Sequence, residues 1–421
     1  MMLDQAHNMV DSTDTEKTEY NIEPKLRMTE MKILLQFLEE NDDLFAKSLS
    51  ELPGTDVCPF RLELKTGAKP VFRKPYRMSD VEETAVKKYM QEMVAANILT
   101  PNVSEWSAPG IVVKKKGGGY RFVNNFKELN KLMESRDHFP IPNQEDIFFR
   151  LRGNKYATTL DLFSGYYQMI LHPDDVPMTA FLTNFGHYAY LRLPQGINNA
   201  PAFFSKMMRV VLGDLINTAC FNYLDDIIVV KKDFESHQEN LRLVFQALRD
   251  ANLCLQKKKC FLAFHKILFL GHIISQEGIQ VDDEKIRAIM DVPLPANLSE
   301  LRSLLGMFSY YRRFVRGFAS IAEPLHGLLQ KGVEFKIGEQ EEEAIRTLRS
   351  GLVTAPILRH YDPKLPIVIF VDACGTGLGV VLSHVVNKVE NPIAYYSRSL
   401  NKTEQKYGIS EKECLSITFA L

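Results

Sequence analysis

The sequence has little cysteine, one tryptophan and almost no net charge. Six cysteines occur among 421 residues without any Cys-x-x-Cys pair, which argues against a disulfide framework and favours a reducing compartment. Cys254, Cys260, His265 and His272 are neighbours in sequence, but their intervals match no common zinc pattern, so we expect structural roles for them. The formal net charge of −1 excludes a uniformly basic nucleic-acid binder, although a local basic cleft remains compatible with it.

Long apolar runs are also lacking. The longest, residues 261–274, is interrupted by His265, Lys266 and His272 and is shorter than the roughly 20 residues that a membrane-spanning helix needs. The N-terminus has no basic segment followed by an apolar run, so we expect no signal peptide. These observations predict an intracellular protein that is not secreted and has no membrane partner.

The composition is that of an ordinary globular protein, with 45% hydrophobic and 24% charged residues, and the length predicts two to four domains. Helices are predicted over residues 31–45, 80–97 (capped by Ser79), 234–253 and parts of 284–329, with a helix beginning after Ser164. Strands are predicted over 60–64, 156–162, 221–230, 267–275, 365–372, 378–386 and 392–397, with a last helix to the end of the chain.

Residues 111–123 predict a β-hairpin with a glycine-rich turn at 117–119. The segment 111–131 carries Lys and Arg at several positions but only one Glu. A solvated charge run would account for this composition. Because the bases lie on both sides of a hairpin tip, we favour a role in gripping phosphates.

Three aspartates occur where apolar strands end or are interrupted. Asp161 ends one predicted strand, and Asp225 and Asp226 interrupt another. Nucleotidyl transfer uses carboxylates that converge on two Mg²⁺ ions about 4 Å apart. Since neighbouring side chains on a strand point to opposite faces, Asp225 and Asp226 serve one site only at a hairpin tip, with Asp225 closer to the metal. Taken alone, the Asp-Asp pair would favour a plain surface turn.

Five ordered motifs resemble the reverse transcriptase family, in its gypsy-type retrotransposon branch. LDLFSGYYQMIL (160–171) resembles motif A, LPQGINNAPAFFSKMM (193–208) motif B, YLDD (223–226) the Tyr-x-Asp-Asp box of motif C, QKKKC (256–260) motif D and FLGHIIS (269–275) motif E. The order and spacing of all five make the resemblance specific. It implies an α+β fold shaped as a right hand, with fingers, palm and thumb.

The resemblance also implies roles for individual residues. Asp161, Asp225 and Asp226 would bind two Mg²⁺ ions, with Mn²⁺ as a substitute, and Tyr223 belongs to the nucleotide site. The other matched positions are Arg121 and Lys115 (or a neighbouring lysine) for the triphosphate, Tyr166 as the steric gate under the sugar, Gln195 and Gly196 near nucleotide and template, and Lys259 as a general acid toward pyrophosphate. Tyr166 could otherwise be a core aromatic, and residues 257–259 could be a phosphate-binding or solvated surface.

One departure from the family pattern lies in the fingers. The family usually has Val-Asp-Tyr-Arg or Val-Asp-Phe-Arg before its Leu-Asn, whereas this chain has Asn125 for the acid and Lys127 for the arginine. Lysine cannot reproduce the two-pronged hydrogen bonding of arginine. We expect the metal site to be unaffected and nucleotide affinity or fingers closure to change.

The downstream sequence extends the resemblance. Residues 300–329 resemble the thumb-like segment, with Arg312, Arg313 and Arg316 expected to face the duplex. Residues 365–384 resemble the start of an RNase H domain, with Asp372 and Glu413 matching its first two catalytic carboxylates. Ser410 and Glu413 also form a potential capping box, which needs no catalysis.

The chain ends at Leu421, before the family's remaining RNase H carboxylates. We therefore expect a truncated RNase H-like part without useful activity. Its sheet should leave Ile369, Val371 and Val380 poorly buried unless residues 284–352 pack over them.

Together these features predict an RNA- and DNA-directed DNA polymerase of a gypsy-type retrotransposon. The expected partners are an RNA template, a DNA primer-template, dNTPs and other segments of the same polyprotein, in a cytoplasmic particle or the nucleus. The predicted regions are a mobile acidic tail (1–30), an N-terminal extension with the start of the fingers (31–100), fingers and palm (101–280), a thumb or connection segment (281–350) and a truncated RNase H-like domain (351–421). The alternative is a decayed or co-opted fragment that binds nucleic acid without catalysis.

Overall fold

The computed structural model describes residues 20–114, 120–134, 139–140, 142–151, 154–386 and 388–421. The fold divides into two compact units. The first consists of the chain up to Asn143 together with Tyr156–Phe264, and the second of Gln144–Lys155 together with His265–Leu421.

Helices and strands alternate irregularly along the chain, as expected for an α+β protein. The helices are α1 (Met28–Glu40), α2 (Asp80–Ala95), α3 (Lys127–Leu132), α4 (Gln144–Arg150), α5 (Ala200–Leu212), α6 (Phe234–Asp250), α7 (Asp283–Met290), α8 (Leu298–Tyr310), α9 (Phe318–Ile321), α10 (Glu323–Gly327), α11 (Glu339–Val353) and α12 (Ile409–Ala420). The strands are β1 (Asn21–Ile22), β2 (Thr55–Phe60), β3 (Leu99–Pro101), β4 (Gly110–Lys114), β5 (Tyr120–Asn124), β6 (Tyr156–Asp161), β7 (Met169–Leu171), β8 (Phe181–Thr183), β9 (Gly186–Tyr190), β10 (Phe221–Tyr223), β11 (Asp226–Lys231), β12 (Phe261–Phe264), β13 (Lys266–Phe269), β14 (His272–Ser275), β15 (Ile279–Val281), β16 (Ile367–Ala373), β17 (Gly377–Val386) and β18 (Val389–Ser399).

A five-stranded sheet with the order β1-β12-β6-β11-β10 forms the centre of the first unit. Strand β11 is antiparallel to both β6 and β10, and β1 is parallel to β12. Ile227, Ile228 and Val229 are fully buried in β11, while Leu241 and Val244 of α6 are equally buried. The strand predicted over 221–230 is therefore two strands, the edge strand β10 and the interior strand β11, whose buried residues lie beside helix α6.

Smaller strand pairs and α2 complete the first unit. Helix α2 begins at Ser79, whose side chain accepts a hydrogen bond from the Glu82 N–H, so the predicted cap is confirmed. The hairpin β4–β5 is also confirmed, with Lys114 opposite Tyr120 at its described end. Strand β9 pairs with β3 and β8, and β2 pairs with β7.

The strand predicted over residues 60–64 is wrong, because β2 ends at Phe60. The Leu62 N–H donates to the buried Asp175 carboxylate at 2.8 Å, and Arg61 contacts that same carboxylate at 3.3 Å. Leu62 is buried, so the alternation of polar and apolar residues is real. A side-chain acceptor, however, takes the Leu62 N–H, and backbone pairing is limited to an isolated antiparallel bridge between Leu64 and Met133.

The helix predicted after Ser164 is a single 3-10 turn, Gly165–Gln168, and Ser164 makes no capping hydrogen bond through its side chain. Ser164 has φ +49°, in the left-handed region that serine rarely adopts. The buried Gln168 amide holds the turn, because its Nε2 donates to the carbonyls of Phe163 and Cys254 at 2.9 and 2.8 Å.

The tail predicted over residues 1–30 lies outside the described residues up to position 19. From Tyr20 onward the chain forms β1 and enters α1, which begins at Met28, earlier than predicted, and ends at Glu40. Glu30 of α1 is buried and accepts a hydrogen bond from the Tyr156 hydroxyl at 2.8 Å. Residues 20–30 are therefore part of the folded first unit.

The second unit contains two antiparallel three-stranded sheets, β13-β14-β15 and β16-β17-β18. Helix α9 packs on β17 and β18, and α12 packs on β16 and β17. Val380 of β17 is 4% exposed, in line with the packing of α9 from residues 284–352 on this strand, whereas Ile369 and Val371 remain 38% and 36% exposed. Within the described ranges, no helix combines the length and the apolar character needed to cross a membrane.

Candidate active site

The hairpin β10–β11 places two aspartates at its tip. Tyr223 pairs with Asp226, so Leu224 and Asp225 form the turn between the strands. Leu224 has φ +54°, a strained conformation for a branched side chain. The Asn222 amide donates to the Leu224 carbonyl at 2.7 Å and stabilises that turn. At the tip, both carboxylates can approach one site. On a straight strand, the two neighbouring side chains would point to opposite faces of the sheet.

Asp161 lies beside this tip. It is the last residue of β6 and pairs directly with Asp226 of β11. The Lys259 Nζ lies 3.3 and 3.4 Å from the two Asp161 carboxylate oxygens. Asp225 is exposed, whereas Asp161 and Asp226 are half-buried, so Asp225 is the most accessible of the three carboxylates.

Burial and neighbouring charges raise the pKa values of Asp161 and Asp226. Burial, reinforced by the charges of Asp225 and Asp161, raises the pKa of Asp226 to about 6. Burial also raises the pKa of Asp161; the Lys259 ammonium opposes that rise and the charge of Asp225 adds to it. Three neighbouring negative charges with one lysine as counter-charge form a site that a cation would stabilise.

The donor set suits Mg²⁺. Carboxylate oxygens are the hard ligands that this ion prefers, and it is usually held by one or two carboxylates together with substrate phosphates and water. Among the residues that the structure describes, no three His, Cys, Asp or Glu side chains converge on one metal position. Asp161 and Asp225 fit a site that substrate phosphates complete, and burial together with the charges of Asp225 and Asp161 raises the pKa of neighbouring Asp226.

Tyr166 lies next to the carboxylates on the 3-10 turn after β6. Its ring centroid is 5.3 Å from that of Phe204 on α5, in an edge-on arrangement. Burial and the nearby charge of Asp225 raise the pKa of the Tyr166 phenol. A Cβ at Gly165 would lie 3.1 Å from the Phe204 ring and 3.6 Å from the Asp225 Cβ. The small residue therefore lets the turn approach both α5 and the hairpin tip.

The motif B residues contact the basic hairpin. The Arg121 guanidinium on β5 donates a hydrogen bond to Gln195 Oε1. Gly196 has φ +95°, which favours glycine, and its carbonyl accepts a hydrogen bond from Asn130 Nδ2 at 2.8 Å. The structure thus joins Arg121, Gln195 and Gly196 in one region, while Lys115 lies outside the described residues.

The two residues that depart from the family pattern lie beside Gly196. Asn125 Oδ1 accepts a hydrogen bond from the Lys127 N–H at 3.0 Å, next to the start of α3. Both residues line an open groove of about 460 Å³ that Gly196 and Asn198 also border. Asn125 therefore has a local structural role, and the Lys127 side chain supplies positive charge beside the groove.

A buried network that the sequence analysis missed supports this region. The Tyr89 and Tyr167 hydroxyls are 3.3 Å apart, and the Tyr190 hydroxyl donates to Asn124 Oδ1 at 2.8 Å. The rings of Tyr167 and Tyr190 stack with centroids 6.4 Å apart. The sequence signal for this network was Tyr167, the second tyrosine of the pair in motif A. Its partners Tyr89 and Tyr190 are far away in sequence.

The RNase H-like candidates lie in the second unit. Asp372 is an exposed residue of β16, and Glu413 is an exposed residue of α12. The predicted Ser410–Glu413 capping box is wrong: α12 is capped two residues earlier, and the Gly408 N–H donates to the Glu411 carboxylate at 2.7 Å. Glu413 therefore has no capping role.

The thumb arginines differ from the expectation that all three face a duplex. Arg312 and Arg316 are exposed, and the Arg312 guanidinium donates to the Ser397 carbonyl. Arg313 is only 5% exposed, and its guanidinium carbon lies 5.5 Å from the centroid of the Phe148 ring. Arg313 is thus a packing residue of the second unit, since aromatic rings of α4 cover it.

Family comparisons agree with this architecture. Residues 113–274 match the family described as reverse transcriptase (RNA-dependent DNA polymerase). Residues 337–421 match the RNase H-like domain found in reverse transcriptase.

Curated relatives include retrotransposon polyproteins. The chain is 36% identical over 361 residues to the retrovirus-related Pol polyprotein from transposon 297 of Drosophila melanogaster, covering 84% of this chain and 34% of that one. It is 35% identical over 407 residues to the Pol polyprotein from transposon opus of the same species, covering 93% and 40%. A transposon Tf2-3 polyprotein of Schizosaccharomyces pombe is 33% identical over 317 residues, covering 75% and 24%. The chain thus spans well under half the length of these relatives.

Solved structures show the same fold. The foamy viral protease-reverse transcriptase dRH in complex with double-stranded DNA matches with a TM-score of 0.84 and 25% identity, over 94% of this chain and 69% of that one. The foamy viral protease-reverse transcriptase in complex with an RNA/DNA hybrid matches with a TM-score of 0.81 and 25% identity, over 94% and 53%. This is the right-hand fold of a template-directed nucleic-acid polymerase. The chain belongs to the reverse transcriptase family, in the group of gypsy-type retrotransposon Pol polyproteins, and carries an RNase H-like domain.

Proposed function

We propose that this chain extends a primer 3′-hydroxyl with dNTPs, on RNA or DNA templates, by two-metal nucleotidyl transfer. The observation that carries the proposal is that Asp161 lies beside Asp225 and Asp226 at the tip of one hairpin. Burial and the charges of Asp225 and Asp161 raise the pKa of Asp226 there to about 6. Primer extension on an RNA template by the purified protein tests it.

The carboxylates have distinct parts in this proposal. Asp161, Asp225 and Asp226 would hold the two Mg²⁺ ions, with Asp225 the most accessible and Asp226 set slightly back. Bound Mg²⁺ lowers the pKa of the attacking hydroxyl and neutralises charge on the triphosphate. Since Mg²⁺ and Mn²⁺ both accept oxygen ligands, Mn²⁺ would substitute.

Other side chains orient the substrates. Arg121, with Lys115 or a neighbouring lysine, binds the triphosphate, and Gln195 and Gly196 contact nucleotide and template. The Tyr166 ring lies under the sugar and excludes a 2′-hydroxyl. Lys259, which reaches within 3.3 Å of Asp161, donates a proton to the departing pyrophosphate. Tyr223 supports the tip opposite Asp226.

The partners follow from the relatives. The similar foamy viral structures contain double-stranded DNA or an RNA/DNA hybrid, which supports an RNA template and a DNA primer-template here. Similarity to Pol polyproteins supports other segments of the same polyprotein as partners. We assign the fingers and palm to residues 101–280, the thumb to 281–350 and the RNase H-like part to 351–421. A cytoplasmic particle or the nucleus remains the predicted location.

The second candidate function is nucleic-acid binding without catalysis, by a decayed or co-opted element. Asn125 and Lys127, which replace the usual acid and arginine, favour it. They line a groove beside Gly196 rather than the carboxylate site, so catalysis by Asp161 and Asp225 is the better supported function.

Replacing Asp226 by Asn should stabilise the metal-free protein at pH 7.5. The folded-state pKa of about 6 lies above the usual value of 3.8, so ionised Asp226 destabilises the fold above pH 6. After discounting for solvent screening, we expect a gain of about 1 kcal/mol, or about 2 °C in the thermal midpoint. The gain should shrink as the pH falls below 6 and vanish only below the usual value of 3.8, where the wild-type carboxyl is protonated in both states.

Thermal melts in EDTA from pH 4.5 to 8 measure this effect. Asp56→Asn, at an exposed carboxylate of β2, is the matched control and should show no such pH-dependent gain. A destabilised Asp226→Asn protein at pH 7.5 would show that the three carboxylates do not repel one another.

The expectation that the RNase H-like part lacks useful activity remains a prediction. Two-metal cleavage needs ligands fixed from several structural elements, and Asp372 and Glu413 are both exposed. A labelled RNA–DNA hybrid incubated with Mg²⁺ should remain uncut under conditions that support primer extension. Mg²⁺-dependent cleavage that Asp372→Asn abolishes would contradict this prediction.

A further inference from the structure

Lys259 belongs to a short 3-10 turn, Lys257–Lys259, that lies directly beside the carboxylate site. The Gln256 N–H donates to the Asp161 carbonyl at 2.8 Å, so the start of the turn is tied to the end of β6. The Lys259 side chain then reaches the Asp161 carboxylate at 3.3 Å. The placement of this turn therefore sets the distance between the proposed general acid and the metal-binding carboxylate.

The N-terminal segment, residues 20–46, holds both flanks of this turn. Before the turn, the Leu255 N–H donates to the Leu44 carbonyl at 2.7 Å, and the Ala46 N–H donates to the Leu255 carbonyl at 3.1 Å. After the turn, β12 pairs in parallel with β1. The turn is consequently enclosed by backbone pairing with residues more than 200 positions away.

Asn21 bridges the turn directly. Its Nδ2 donates to the Lys258 carbonyl at 3.0 Å and to the Cys260 carbonyl at 3.1 Å. These two carbonyls lie on either side of Lys259. One amide group therefore fixes the backbone from which the Lys259 side chain extends.

Lys257 is anchored by the same segment. Its Nζ lies 2.5 Å from Asp42 Oδ1 and 4.2 Å from the centroid of the Tyr20 ring. The Tyr20 hydroxyl donates to that same Asp42 oxygen at 2.8 Å. Hydrogen bonds from Lys257 and Tyr20 lower the pKa of Asp42, as expected for a carboxylate held in its charged form.

The two lysines at the ends of the turn have opposite environments. The Lys257 side chain is 13% exposed, whereas that of Lys259 is 58% exposed. The buried Lys257 contacts Asp42 and Tyr20, and the exposed Lys259 contacts Asp161 with its ammonium accessible from solvent. The first therefore acts as an anchor and the second as the reactive group.

We propose that Tyr20, Asn21 and Asp42 form a positioning clamp that sets the rate of nucleotidyl transfer through Lys259. The inference rests on the proposed role of Lys259 in protonating pyrophosphate. The N-terminal segment contacts no reacting group itself. Its effect is to hold the Lys257–Lys259 turn so that the ammonium lies at the carboxylate site when the bond to pyrophosphate breaks.

The test is single-turnover nucleotide incorporation by the full chain, which separates the maximal rate from nucleotide affinity. Asn21→Ala should lower the maximal rate about fivefold, and Lys259→Ala about tenfold or more, with nucleotide and primer-template affinity unchanged. Tyr20→Phe keeps the ring under Lys257 and should have the milder effect. Gln36→Ala, whose amide bonds only Glu40 on the exposed face of α1, is the matched control.

A double-mutant comparison decides whether the clamp acts through Lys259. In the Lys259→Ala background, Asn21→Ala should cause no further loss of rate, because the group that it positions is gone. Additive losses, or an unchanged rate in Asn21→Ala and Tyr20→Phe together, would overturn the clamp. If Lys259→Ala alone retains the full rate, the proposed role of Lys259 fails instead.

Thermal melts of each variant guard against misfolding. Should Asn21→Ala unfold, Asn21→Asp gives a second variant, because its carboxylate repels the Lys258 and Cys260 carbonyls while keeping the side-chain size. A folded Asn21→Asp protein with a wild-type rate would also overturn the clamp.

Discussion

Replacing Asp161 or Asp225 by Asn is expected to abolish DNA synthesis while primer-template binding stays nearly intact. Asparagine preserves the size of the side chain but removes the negative charge that would hold Mg²⁺. The lost metal stabilisation of several kcal/mol corresponds to a fall of about a thousandfold in rate. Single-nucleotide extension, with binding followed by fluorescence anisotropy, measures both quantities.

Asp214→Asn provides the control for this pair, because Asp214 is an exposed carboxylate of the same unit that lies outside the hairpin tip. It should extend primers at the wild-type rate. If Asp161→Asn or Asp225→Asn retained more than about a few percent of the rate, the assignment of these residues as metal ligands would be wrong.

Replacing Tyr166 by Val is expected to let ribonucleotides into the product. The ring lies beside Phe204 and close enough to Asp225 for that charge to raise the pKa of its phenol. Such a ring, placed under the sugar, would exclude a 2′-hydroxyl by contact, and a smaller side chain would leave room for it. The ratio of dNTP to rNTP efficiency should fall by about tenfold to a hundredfold, as for other discriminations based on size.

Tyr166→Phe is the matched control, since it keeps the ring and removes only the hydroxyl. It should discriminate against ribonucleotides as well as the wild type does. A Tyr166→Val protein with an unchanged dNTP to rNTP ratio would show that Tyr166 only packs against Phe204.

Local signals were sufficient to predict the centre of the site. Asp161 ends an apolar strand, and an apolar run interrupted by Asp225 and Asp226 forms the expected hairpin. Strand β11 is central and covered on both faces, so its apolar pattern is strong. The capping box of α2 is equally local, because Ser79 and Glu82 are three residues apart.

Two of the predictions that failed depended on tertiary partners. Alternation at residues 60–64 does not form a strand because the Asp175 carboxylate takes the Leu62 N–H. The spacing of Ser410 and Glu413 suits a capping box, yet α12 begins earlier and Glu411 takes that role. Arg313 has the sequence context of its exposed neighbours but is buried under Phe148. Asp175 and Phe148 are far in sequence from the residues that they contact, whereas Glu411 is close to Gly408, and the capping prediction failed because α12 begins two residues earlier than Ser410 implies.

The N-terminal clamp illustrates the same limit. Asn21 contacts the carbonyl of Lys258, 237 positions away. Charge and hydrophobic periodicity describe a window of about 18 residues at most, so no pattern in residues 20–46 indicates a partner beside Asp161.

Primer extension by the purified protein on an RNA template is the most direct test of the central claim. With Mg²⁺ and all four dNTPs, the protein should copy the template into DNA, and Asp225→Asn should not. A protein that binds the primer-template but adds no nucleotide, with Mg²⁺ or with Mn²⁺, would contradict the proposed catalysis and would support nucleic-acid binding by a co-opted fragment instead.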